Sequence, residues 1–293
     1  MIPGALPACS AHCNAKYDGR ILFMDLKQEN AMDDPSEVIK GITRHFQAMN
    51  LPLLTKPGTY QGIPFPILEE FYQTLTEQRS RDEDKRFVNR LRYAGIVRER
   101  TPECFKWGDG VYPLAEPGAI ESALDFDFIR QRRNLIVYGP PGTGKTLLML
   151  IIACKAVRAN FSVKYKTGHD IATELREARA GNSLSGYIRR LQGYDLLVIE
   201  DVIFATFDSK TAQAFFAVID GRYGRKSTAI TSNGSISDWA AAFPNKTMSS
   251  AILGRFYEDA LLINMNGAED MRLKRAKGIL GIASPGKGGT NDA

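Results

Sequence analysis

The 293-residue sequence predicts an α/β fold: a parallel sheet covered by helices, with a small, mainly helical domain in front of it. Two patterns carry that prediction. From about residue 119 to 279, short runs rich in β-formers alternate with amphipathic segments, and such alternation implies parallel strands joined by helical crossovers. From about 35 to 118, apolar positions instead recur at helical spacing, with Pro and Gly breaks. A third observation bounds both: 44% hydrophobic residues over this length suffice for a sizeable core.

Taken in order, residues 1–34 mix Pro, Gly, Cys and acidic residues without a lasting period and read as a loose leader, within which Met24 or Met32 is an alternative start. Residues 35–118 contain "PSEVIKGITRHFQAM" and "PILEEFYQTLTEQ", both helical in period. In 119–279 the expected strands are "NLIVY", "SVKYK", "DLLVIE", "STAITS" and "ALLIN". Residues 280–293 are Gly-rich and polar, so a disordered tail is expected.

Composition excludes some functions. No apolar stretch reaches the length of a membrane span, and the N-terminus lacks a basic start followed by an apolar core, so a cytoplasmic protein is expected. Cys9, Cys13, Cys104 and Cys154 are too few and scattered for a disulfide framework. The "CSAHC" stretch offers Cys9, His12 and Cys13 to zinc, but no second pair completes the set at the usual spacing. A net charge of +5 suits nucleic acid without requiring it.

The chemistry concentrates in "NLIVYGPPGTGKTLLMLIIACKA". Gly139, Pro140, Pro141, Gly142, Thr143, Gly144, Lys145 and Thr146 stand between a β-rich run and a helical one, the context that gives a phosphate-binding loop its meaning. Its glycines let backbone N–H groups close around phosphate oxygens. Lys145 neutralises the β and γ phosphates of ATP, and Thr146 offers its hydroxyl to magnesium. A second apolar run, "YDLLVIEDVIF", stops on Glu200 and Asp201. In P-loop ATPases such a strand is expected beside the P-loop strand, presenting one acid to the magnesium shell and another to the attacking water. The usual order is Asp then Glu; here it is Glu then Asp, which suggests slow hydrolysis. Asn233, after "STAITS", can sit between the acids and the γ phosphate. Arg255 and Arg272 can stabilise charge on the transferring phosphoryl group, in cis or from a neighbouring subunit.

Together these residues resemble the IstB-like and DnaC-like ATP-binding proteins, a branch of the AAA+ ATPases. The resemblance runs through "ALDFDFI", the P-loop, "ELREARAGNSLSGYIRRLQGYDLLVIED", "DGRYGRKSTAITSNGSISDW" and "SSAILGRFYEDALLI". It implies a three-layer α/β/α AAA+ core and a helper that assembles on DNA as a homo-oligomeric ring or filament, serving a transposase or a replicative helicase. It also implies that Lys145 and Thr146 are the Walker A pair, Glu200 and Asp201 the Walker B acids, and Asn233 the sensor-1 residue. Arg255 then matches the arginine finger and Arg272 the sensor-2 arginine. Besides the exchanged acids, "GAEDMR" carries one residue more than the family's usual sensor-2 pattern. "SSAILGRFYEDALLI" favours the transposition helpers over the helicase loaders. A nucleotide-gated scaffold that scarcely hydrolyses ATP is a rival reading supported by the exchanged acids, and a small-molecule kinase lacks any recognisable lid pattern.

Ahead of the core, "DKRFVNRLRYAGIVRER" places Lys85, Arg86, Arg90, Arg92, Arg98 and Arg100 around Phe87 and Tyr93. On a helix Arg86 and Arg90 share a face. The stretch reads either as a DNA-contacting surface or as a solvated face with Phe87 and Leu91 in the core. Lys274, Arg275 and Lys277 form a second basic run with Arg272.

Overall fold

The computed structural model describes residues 34–104, 117–202, 205–233, 242–244, 246–268, 270 and 272. The expected leader up to residue 33, with Cys9, His12 and Cys13, lies outside them, as do Lys274, Arg275, Lys277 and the tail. The chain divides into two compact units, 1–89 and 90–293.

In the first unit, α1 (Pro35–Ala48) is started by Asp34, whose side chain accepts from the Ser36 N–H, with Pro35 at a first-turn position where no N–H is missed. Its Val38, Ile42 and Phe46 pack with Tyr60 and Leu68 into a small core. Helix α2 (Phe65–Ala94) is a single run of 30 residues whose last turn is counted with the second unit. Its apolar period lapses in the middle, where Glu77–Arg81 and Arg79–Glu83 ion pairs at i,i+4 spacing support it instead. The two compact units divide within α2, between residues 89 and 90. Residues 90–100 are tied into the second unit by Arg90 to Asn160, Lys164 to the Tyr93 carbonyl, and Arg158 to Glu99.

The second unit contains α3 (Pro117–Leu124), α4 (Asp127–Arg130), β1 (Leu135–Tyr138), α5 (Lys145–Arg158), β2 (Val163–Thr167), α6 (Gly168–Ala180) and α7 (Leu184–Gly193). These are followed by β3 (Leu196–Glu200), α8 (Ser209–Arg222), β4 (Ser227–Ser232), α9 (Lys246–Tyr257) and β5 (Leu261–Asn264). The five strands, each on an expected run, pair in parallel in the order β2-β3-β4-β1-β5. One sheet face, including Ile136, Leu197, Ile199 and Ile230, packs under α6 to α9 through Ile171, Leu191, Phe215 and Phe256. Alternation along the strands turns Leu135, Val137, Leu196, Val198 and Ala229 the other way, equally buried, on the side where α5 packs. This is the three-layer α/β/α core.

One expectation is corrected by the strand order. The acid-bearing strand is not beside the P-loop strand, because β4 lies between β1 and β3. Strands adjacent in function are thus separated by the polar end of β4, where Thr231 and Ser232 are each only 1% exposed. Arg222, at the end of α8, is also 1% exposed and donates to the carbonyls of Leu191, Tyr194 and Ser227 and to Thr228 Oγ1. It joins the end of α7 to the start of β4 with no carboxylate bonded to it among the described residues.

Candidate nucleotide site

The P-loop leaves the C-terminal end of β1 and enters α5 at Lys145. Gly142 is required by its backbone: φ is +82°, and a Cβ there would press on the Asp270 carboxylate. Gly139 is required by close approach, since a Cβ would come within 2.8 Å of the Met265 backbone. Pro140 and Pro141 are exposed at the rim, while Thr143 is buried and its hydroxyl donates to the Pro140 carbonyl at 2.9 Å. Gly144 caps the start of α5 in a left-handed conformation.

Lys145 is 5% exposed and turns back over the loop, its ammonium donating to the Gly139 and Pro140 carbonyls at 2.7 Å each. Burial pushes its pKa down. Asp201 and Glu200 oppose that shift, and the Arg272 charge adds to it. Thr146 Oγ1 donates to Glu200 Oε1, and the Tyr165 hydroxyl donates to Glu200 Oε2 at 2.9 Å. Asp201 ends β3 in a left-handed turn, φ +52°, with its N–H donating to Thr231 Oγ1 at 3.1 Å. Asn233 Nδ2 donates to Asp201 Oδ1 at 2.8 Å. Burial raises the Asp201 pKa, with the Glu200 charge adding to the shift. The two acids are therefore not a solvated strand end: each is bonded into the site, and Val202 just beyond is fully buried.

The structure thus gathers Lys145, Thr146, Glu200, Asp201 and Asn233 at the C-terminal edge of the sheet. Arg272 stands within electrostatic reach of Lys145 and Asp201, and its N–H donates to Asp270 Oδ1 at 2.8 Å. Arg255, on α9, does not join this group. Its guanidinium bonds Asp220 at 3.0 Å and lies 4.8 Å from the centre of the Tyr223 ring. Of the basic stretch, Arg86 and Arg92 are exposed, Lys85 lies 4.0 Å from Asp82, and Arg90 is held by Asn160. Phe87 and Leu91 are buried, and Tyr93 is 80% exposed.

Two site residues carried no sequence signal. Asp270 lies against Gly142, and Tyr165 reads in "SVKYK" as an ordinary inward strand residue. The donor chemistry fits ATP with magnesium. A glycine loop and a buried ammonium suit phosphates, while one hydroxyl and one carboxylate oxygen in contact suit a hard cation that keeps water and phosphate as its other ligands. No cluster of three or more His, Cys, Asp or Glu residues able to hold a metal occurs among the described residues.

The fold and this site define a P-loop AAA+ ATP-binding protein. The sequence profile of the IstB-like ATP binding protein family matches residues 67–278, and the chain belongs to that family. It is 31% identical over 157 residues to an insertion sequence IS232 protein of Bacillus thuringiensis subsp. berliner named for ATP binding, spanning 53% of this chain and 62% of the relative. It is 29% identical over 205 residues to an insertion sequence ATP-binding protein, y4uH, of Sinorhizobium fredii, spanning 69% and 80%. With the insertion sequence IS21 counterpart of Pseudomonas aeruginosa it shares 28% identity, over 66% of this chain and 72% of that one. Among solved structures it is similar to AMPPCP-bound DnaA from Aquifex aeolicus, with TM-score 0.48 and 23% identity over 62% of this chain and 54% of that chain. It is also similar to a DnaC helicase loader, with TM-score 0.44 and 17% identity over 56% and 96%.

Proposed function

We propose that this chain is a cytoplasmic ATPase that binds ATP with magnesium, oligomerises on DNA and delivers or marks that DNA for a transposase. The observation that carries the reading is the joining of the P-loop to the acid pair: Thr146 meets Glu200, while Asn233 anchors Asp201. In this reading Lys145 leaves its two carbonyls for the β and γ phosphates, which are better partners for a buried cation than neutral oxygens. Thr146 and Glu200 hold magnesium, whose chemistry is to neutralise phosphate charge. Asp201, fixed by Asn233 and Thr231, aligns the attacking water. Arg255, occupied with Asp220 in this chain, then acts on the nucleotide of a neighbouring subunit, and Arg272 acts in cis.

The transposase assignment rests on relatives named for insertion sequences; a replicative helicase is the alternative partner. Contact with DNA through Lys85, Arg86, Arg90 and Arg92 rests on charge and on the exposure of Arg86 and Arg92. The exchanged acids favour slow turnover, and at the limit a scaffold gated by ATP. Sedimentation and phosphate release, each with ATP or ADP and with or without duplex DNA, test the proposal. ATP-dependent assembly on DNA with turnover supports it; assembly without turnover supports the scaffold; no ATP-dependent assembly on DNA, with or without turnover, overturns it.

A further inference from the structure

The Glu200 carboxylate is clasped from two sides. Thr146, at the start of α5, bonds Oε1, and Tyr165, in the edge strand β2, bonds Oε2 at 2.9 Å. Register explains the second contact. Tyr165 is opposite Val198 and Thr167 is opposite Glu200, so Tyr165 and Glu200 lie on the same sheet face, one step apart diagonally, on the α5 side. The ring is buried, so the phenol is fixed in place while its hydroxyl reaches the acid.

We infer that Tyr165 is a positioning residue that adapts this site to a glutamate: by occupying Oε2 it leaves Oε1 presented together with the Thr146 hydroxyl as a pair of oxygen donors for a divalent cation. A glutamate has one more rotatable bond than an aspartate, and without a second anchor its carboxylate would sample several orientations. An aspartate at 200 is a methylene shorter and loses the reach to Tyr165. The tyrosine and the exchanged acid order therefore form one device. This inference rests on the ATP and magnesium reading of the site.

The test is a magnesium titration of the full chain with a fluorescent, non-hydrolysable ATP analogue, run for wild type, Tyr165→Phe, Glu200→Asp and the double variant. Binding in EDTA and melting temperature are measured for each. Tyr165→Phe keeps the buried ring and removes only the hydroxyl. It is expected to raise the half-saturating magnesium concentration about tenfold, the lower end of the effect of removing an outer-shell partner of a metal ligand. Affinity in EDTA should stay within about twofold, since no phosphate contact changes. In the Glu200→Asp background the same substitution should shift the magnesium midpoint by less than about twofold, because the contact is already gone. An unchanged midpoint in Tyr165→Phe overturns the inference, as does an equal shift in both backgrounds, which would make Tyr165 a general packing support. If wild type binds the analogue with no dependence on magnesium, the parent reading of Thr146 and Glu200 fails, and the inference with it.

Discussion

Replacing Asp201 by Asn removes one negative charge and little else. The left-handed turn at φ +52° is one that Asn tolerates, and the N–H bond to Thr231 is a backbone contact that survives. The new amide keeps an oxygen to accept from Asn233, so the neighbouring strand end should not move. The consequences for binding and for catalysis then separate. Asp201 favours the charged form of Lys145, but its own charge also opposes incoming phosphates, so the two effects of its loss act in opposite directions. ATP affinity is expected to change by less than about tenfold, or ~1.4 kcal/mol. Hydrolysis needs the water aligned only in the transition state, and losing such a group costs about 10²–10⁴ in rate, ~3–5 kcal/mol of barrier. Single-turnover phosphate release, beside equilibrium binding of a non-hydrolysable analogue, reads both quantities. An Asp201→Asn protein that hydrolyses ATP at the wild-type rate would rule out this role for Asp201, and the acid pair would then be a bonded strand end with no catalytic part.

Three further outcomes follow from other parts of the structure. Substituting Arg86 and Arg92, both exposed, with Ala should weaken DNA binding across sequences and lower the slope of log affinity against log salt by about 2, whereas Arg90→Ala, whose guanidinium is held by Asn160, should change that slope less; fluorescence anisotropy over a salt series checks both. Arg222→Met should destabilise the protein by about 3 kcal/mol or more in urea unfolding, because the buried Leu191, Tyr194 and Ser227 carbonyls lose their donor; a loss under ~1 kcal/mol would contradict that. Burial pushes the Asp195 carboxyl up, but hydrogen bonds from Lys226 and Ser162 outweigh it and hold the pKa down to about 2. Its stabilisation is present above the unfolded value near 3.8 and is lost as pH falls through 2. Asp195→Asn should therefore flatten the fall in stability between about pH 4 and pH 2, by ~1 kcal/mol once solvent screening of a partly exposed pair is allowed for.

The strands and the P-loop were legible because their signals are local: a β-rich run of the right length, then glycines, then a helical run. Strand order is not local. Nothing in "STAITS" announces that it inserts between β1 and β3, because that placement follows from how the crossover helices pack, and a run buried on both faces looks the same at any interior position. Helix α2 was legible only in pieces, since "TEQRSRDEDKR" is polar on all sides and leaves ion pairs to carry the middle. The two acids were found by their position after an apolar run. The Tyr165 hydroxyl was missed because its partner is 35 positions away, and the alternation of "VKYKT" already explained an inward tyrosine. Arg255 could be named from its surrounding pattern, but only the structure shows it bonded to Asp220, outside the P-loop cluster.

Equilibrium binding of ATP with magnesium to wild type and to Lys145→Ala reads out directly whether the P-loop lysine holds the nucleotide. A unit charge pair about 4 Å apart near a protein surface is worth ~4 kcal/mol, and the lysine gives up two neutral carbonyls to make it. The expected result is a folded variant with affinity lower by about 10²–10³-fold, a loss of ~3–4 kcal/mol. Wild-type affinity in a folded Lys145→Ala protein would contradict it, and the nucleotide would have to bind elsewhere on the chain.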